Sequence, residues 1–264
     1  MALPVLSVVE DAGGTLLDQG QFGAAVWRAD ALVRGAEAGR VVASGHALLD
    51  AQLPGGGWPV GGLCEILQPH SPQHEWRLLL PALSAVQQAG VGQQGQAAAA
   101  GWVVLIGAPQ VPFGPALAAR GLDLQRLVWV TASTMAERLW AGEQALRCAE
   151  VAAVVLWLSQ VQAAALRRLQ VAAQTHAKLL FVLRPAQARS ESSPALLRLL
   201  LSAGGCGAGT QGKDWPVVPD PDAVQVQLLK RRGPPLAQTL VLAALVPGLS
   251  ALLALAPGPH PCTG

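Results

Sequence analysis

The chain has no tyrosine and only three phenylalanines among its 264 residues, so its aromatic chemistry rests on eight tryptophans. Surfaces that stack single-stranded nucleic acid use aromatic platforms, and two of the three usual kinds are scarce here. Charge is sparse as well: 13% of residues are charged against 52% hydrophobic, which excludes a disordered chain and calls for a large core. A chain of 264 residues accommodates one sizeable α/β core with short appendages. The four cysteines, Cys64, Cys148, Cys206 and Cys262, are scattered without a CxxC pair. That spacing suits neither a disulfide framework nor a zinc site, and with no secretory signal ahead of it the expected compartment is the cytoplasm. His70 and His74 flank Pro72, which breaks the helical turn needed to aim both imidazoles at one ion, so no metal site is expected.

Long uninterrupted apolar runs are also missing. The segment from Thr239 to Ala256 is uncharged, but Pro247 and Gly248 interrupt it and much of it is alanine. It is a poor span for a bilayer core about 30 Å thick, and no membrane association is expected. The net charge of +2 is unevenly spread, with three basic and seven acidic side chains in residues 1 to 65 and fifteen against nine in the remainder. An anionic partner would therefore meet the later part of the chain.

What is present is organised around the stretch from Ser44 to Arg77. It reads as a short helix ending near Leu53, a glycine turn at Gly55, Gly56 and Gly57, a buried strand from Leu63 to Leu67, a loop, and a helix from Gln73 to Gln88. Pro81 is expected to kink or end that helix. The layout is that of a phosphate-binding loop between strand and helix, yet the loop runs Gln68, Pro69, His70, Ser71, Pro72, Gln73, His74, Glu75. It has no lysine to pair the phosphates, and a carboxylate stands where a magnesium-binding hydroxyl belongs.

Four apolar strands follow at βα spacing: Trp102 to Ile106, Leu127 to Val130, Val151 to Leu158 and Lys178 to Leu183. Helices are expected near Pro115 to Arg120, Ser133 to Ala149 and Gln160 to His176, which implies a mainly parallel sheet covered on both faces. Ala195 to Leu201 and Ala223 to Leu229 then read as antiparallel edge strands. The expected division is an N-terminal lead with an amphipathic helix around Trp27 (1–40), the core (41–236), and an apolar, flexible tail (237–264).

The segments VWRA at Val26 to Ala29, LDAQLPGGGWPVG at Leu49 to Gly61, EILQP at Glu65 to Pro69, ALAARGLD at Ala116 to Asp123 and LLKRRGPP at Leu228 to Pro235 together resemble the ImuA family. These are RecA-like and SulA-like accessory proteins of bacterial translesion synthesis, and the resemblance runs from about residue 25 to 240. It implies a RecA-like α/β core with a degenerate phosphate loop, and a place in an SOS-induced mutagenesis cassette beside ImuB and an error-prone DnaE-type polymerase. Against an active RecA core, His74 occupies the lysine position and Glu75 the hydroxyl position. Pro109 stands where a water-activating glutamate is expected, and the strand from Val154 to Leu158 ends in Trp157 and Ser159 instead of a metal-facing aspartate. Without these groups, phosphoryl transfer has neither positioning nor charge neutralisation, so no enzyme activity and no cofactor are expected.

Binding surfaces then carry the expected function. The basic residues Arg167, Arg168, Lys178, Arg184 and Arg189 are candidates for contact with single-stranded DNA. Lys230, Arg231, Arg232, Gly233, Pro234 and Pro235, with the apolar tail behind them, are candidates for binding ImuB, which the resemblance places at the C-terminus. Trp27 marks a helix that, by the same resemblance, would dock on RecA. Two rival readings remain open at this point: a SulA-like inhibitor of cell division and a DNA-stimulated ATPase or recombinase.

Overall fold

The computed structural model describes residues 40–69, 75–88, 101–203, 223–233, 236 and 238–242. Its centre is an eight-stranded sheet. A two-stranded antiparallel ribbon, β1 (Val41–Val42) and β2 (Trp58–Pro59), precedes it. Between the ribbon strands lie the short helix α1 (Ala47–Asp50) and a 3₁₀ turn, Pro54–Gly56. Gly55 and Gly56 take φ of 79° and 80° there, and a Cβ on Gly57 would lie 2.4 Å from the Val42 carbonyl oxygen. The glycine turn is thus fixed by backbone geometry and close approach.

The sheet begins with β3 (Leu63–Gln68), buried along its whole length. Then come α2 (Glu75–Gln88), β4 (Trp102–Ile106), α3 (Gly114–Ala119), β5 (Leu127–Val130), α4 (Met135–Arg147), β6 (Val151–Trp157), α5 (Ala163–Thr175) and β7 (Leu179–Pro185). A 3₁₀ turn, Ala186–Ser190, leads to β8 (Leu197–Ala203), followed by β9 (Val224–Lys230) and β10 (Thr239–Leu242). The strand order is β10-β9-β8-β3-β7-β6-β4-β5. The first strand of the sheet is therefore flanked by the fifth and sixth, unlike the common doubly wound orders in which it neighbours the second or third.

Two apolar layers cover the sheet. Cys64 and Ile66 of β3 pack with Leu78, Leu79 and Leu83 of α2, together with Val103, Leu105, Val155 and Phe181. Val104, Ile106, Val154, Leu156 and Leu180 point the other way, against Leu146 of α4 and Leu166 and Leu169 of α5. Each fully buried leucine or valine contributes about 1.5–3 kcal/mol.

Two expectations are corrected and one is narrowed. Of the two outcomes expected at Pro81, the early end does not occur, and helix α2 runs on to Gln88. The proline removes the hydrogen bond normally made to the Arg77 carbonyl, and His46 Nε2 donates to that oxygen instead, at 3.2 Å. Gly45 gives the proline room, since a Cβ at its φ of 81° would sit 2.4 Å from Pro81 Cβ. Strand β8 is parallel to β3, not an antiparallel edge. Its crossover contains only a short 3₁₀ turn, so the sequence lacks the helix that normally announces parallel pairing. The assigned tail begins with a strand: Thr239–Leu242 pairs antiparallel with β9 and forms one edge of the sheet, because its β-branched and aliphatic residues fit a half-buried pleat. Residues 243–264 lie outside the described residues, as do the amphipathic segment around Trp27 and residues 89–100 ahead of β4. No helix among the described residues is long and apolar enough to cross a membrane.

Candidate functional site

In mainly parallel sheets the carboxyl ends of the strands form the usual binding edge. Here two sites stand apart, one within the sheet and one at that edge. Across β3, β7 and the first residues of β8, a face of the sheet is closed by a buried ionic cluster. Glu65, fully buried in the middle of an apolar strand, accepts from Arg184 Nη1 at 2.8 Å through Oε1 and from Arg198 Nε at 2.7 Å through Oε2. Arg184 Nη2 also donates to Glu191 Oε2 at 2.6 Å. Arg198 continues to the carbonyls of Ala188 and Glu191, at 2.8 and 3.1 Å, and so ties the 3₁₀ turn down over the strands. Two carboxylates balance two guanidiniums, which is what allows so much charge to be buried.

Beside β4 and β6 the edge is open. A cavity of about 310 Å³ lies between the first turns of α2, the loop after β4, helix α3 and the end of β6. Its wall is a pair of indoles: Trp76 of α2 and Trp157 of β6 pack with centroids 5.8 Å apart and planes at 46°. Trp157 is 7% exposed, and its Nε1 is buried without a hydrogen-bond partner. The backbone carbonyl of Trp157 accepts from Arg138 Nη1 at 3.1 Å, and Arg138 Nε reaches the Ala132 carbonyl at 3.0 Å. Arg138 thereby ties the end of β6 to the loop after β5 across the end of β4, filling the space left by Gly107, whose φ is 68°. The rim is the loop Pro109 to Phe113, in which Val111 and Phe113 are 71% and 70% exposed. The charged groups of the cavity are Glu75, buried at the start of α2, and Arg77 and Arg120.

The residues singled out in the sequence fall in different places. In the loop region, Gln68 is buried at the end of β3, Pro69 is exposed and Glu75 opens α2, while Gln73 and His74 lie outside the described residues. The basic set does not form one surface. Arg184 is locked to Glu65 and Glu191 with a side chain 1% exposed, which removes it as a DNA contact. Lys178 is buried too, donating through Nζ to the Ala149 carbonyl at 2.9 Å; burial lowers its pKa from the ordinary lysine value. It precedes β7 whereas Arg184 and Arg189 lie at or beyond its far end, so strand length separates them. Arg168 pairs with Glu143, leaving Arg167 and Arg189 exposed and without an ion pair among the described residues.

The C-terminal set is likewise engaged within the chain. Lys230 Nζ donates to the Ser193 carbonyl at 3.0 Å, and Arg231 Nη1 donates to the Gln52 carbonyl at 2.6 Å. Arg232 is exposed and Gly233 has φ of 110°, while Pro234, Pro235 and Trp27 lie outside the described residues. Sequence reasoning placed Trp157 at a strand end without joining it to Trp76 of the helix after β3. It also missed Arg198, although a lone charge inside a leucine run such as LRLLL is itself a sign of a buried partner.

No protein-family model matches the chain, and no curated protein matches it significantly.

Proposed function

We propose that this protein is a non-catalytic accessory protein of SOS-induced translesion DNA synthesis, an ImuA-type adaptor whose RecA-like core carries a degenerate phosphate loop. In this reading it binds ImuB and works beside RecA and an error-prone DnaE-type polymerase, in the cytoplasm and without a cofactor. The observation that carries the reading is Trp157. By the resemblance its strand should end in a metal-facing aspartate; it ends in a buried indole packed on Trp76. Phosphoryl transfer is driven by placed charge and metal, and an indole pair supplies neither. It does supply rigid apolar surface, the currency of protein contacts. The mainly parallel sheet with helices on both faces agrees with the core that the resemblance implies.

The test is ATP turnover by the purified chain with Mg²⁺, with and without single-stranded DNA. The expected rate is that of buffer alone, and DNA-stimulated hydrolysis would refute the reading. Partner binding is tested by co-purification with ImuB. Since β10 belongs to the sheet, a tail deletion that spares the fold must start after Leu242. Loss of co-purification on removing residues 243–264 is expected; full retention moves the interface elsewhere.

A further inference from the structure

The open part of the strand edge has the features of a built binding site. Its volume of about 310 Å³ is at the small end for ligand pockets and matches one large side chain better than a dinucleotide. The Trp157 indole, 7% exposed and packed on Trp76, makes a rigid apolar wall for such a side chain. Val111 and Phe113 project from a loop stiffened by Pro109 and Pro112, so ordering the rim on binding costs little. Two guanidiniums, Arg77 and Arg120, stand against the single carboxylate of Glu75, which gives the cavity a net positive charge.

Resting on the accessory-protein reading of this same site, we infer that the crevice takes a short acidic segment of a partner protein. One apolar anchor side chain of that segment packs on the Trp76–Trp157 wall, and a neighbouring carboxylate meets Arg120. A peptide is favoured over a nucleic-acid strand because two cations around a one-side-chain cavity cannot follow a phosphate backbone.

The full chain, labelled with ¹⁵N-tryptophan, tests this by NMR, with Trp76→Phe and Trp157→Phe variants identifying the two indole N–H signals. The probes are Ac-Asp-Phe-Asp-NH₂, Ac-Lys-Phe-Lys-NH₂, Ac-Asp-Gly-Asp-NH₂ and hexathymidylate. Saturable shifts of both signals are expected with the acidic phenylalanine peptide, with about tenfold weaker binding of the lysine peptide and none of the glycine peptide. Phe113→Ser should weaken binding about fivefold, and Arg120→Glu should reverse the charge preference; both side chains are exposed, so the free spectra should be otherwise unchanged. No shift, equal binding of all three peptides, or stronger shifts with hexathymidylate would overturn the inference. Absent peptide binding with ImuB co-purification intact defeats the crevice alone, whereas ATP turnover with peptide binding intact defeats the accessory reading alone.

Discussion

Within one sheet, β3, β7 and the start of β8 meet a sealed ionic cluster, while the carboxyl ends of β4 and β6 meet an open indole wall. Glu65 and Trp157 point to opposite faces: Cys64 and Ile66, the neighbours of Glu65, join the α2 layer to which Trp157 also belongs. The sealed side pairs its charges internally, with each oxygen of Glu65 taken by a different arginine, although Arg184 Nε is itself buried without a partner. Such a cluster gains nothing from a ligand. The open side keeps two large apolar residues in water, and these gain when something docks. The contrast separates a part of the sheet that holds the fold from a part available to a partner.

The strongest way to break the contrast is Glu65→Ala. It strands two buried guanidiniums and should cost about 3–5 kcal/mol, read as a fall in the urea midpoint. The triple change Glu65→Leu, Arg184→Met and Arg198→Met should recover most of that loss, because the charges then leave together. A single-variant cost below about 1 kcal/mol would mean that the cluster does not seal that face of the sheet.

Trp157→Ala should cost about 3 kcal/mol, toward the low end for a buried tryptophan because its site already borders a cavity. Trp157→Phe keeps the packing and deletes the unpaired N–H, so it should cost less than about 1 kcal/mol by thermal melting. A cost equal to that of alanine would show that the indole N–H is satisfied after all.

A smaller effect concerns α2, which backs the open side. Burial lowers the pKa of His46 below its ordinary 6.5, although its bond to the Arg77 carbonyl and the nearby Asp50 oppose the shift. The folded protein therefore keeps His46 neutral while the unfolded chain takes up a proton as pH falls through about 6.5. Stability should decline from there down to the folded pKa and show no further His46 contribution below it. His46→Gln should flatten this slope in chemical melts run from pH 7.5 to 5; an unchanged slope would acquit the histidine. The smallest effect on stability belongs to the double variant Val111→Ser, Phe113→Ser, expected within about 0.5 kcal/mol of the parent while binding of the acidic peptide falls.

The parallel core was readable because Trp102–Ile106, Val151–Trp157 and Leu179–Pro185 are nearly continuous apolar runs separated by helices, the signature of strands covered on both sides. The glycine turn was readable for the same local reason: positive φ and close approach leave few residue choices. Arg184 was misread because its partner Glu65 lies 119 positions away, and a basic residue looks free until strand order brings the carboxylate beside it. The early end expected at Pro81 does not occur, and the sequence hid the reason: the donor that replaces the lost hydrogen bond, His46, is 31 positions from the carbonyl it serves.

The sequence alone determined the α/β class, the predominance of parallel strands and the loss of lysine and hydroxyl from the loop after β3, since periodicity and residue type are local properties. Only the tertiary structure decided that β8 joins the parallel set, that Arg184 and Arg198 are spent on Glu65, and that Trp76 and Trp157 share one wall. Each of these depends on which strands lie side by side. Strand order is fixed by the joint packing of both layers and by long-range pairing, which no short stretch of chain encodes by itself.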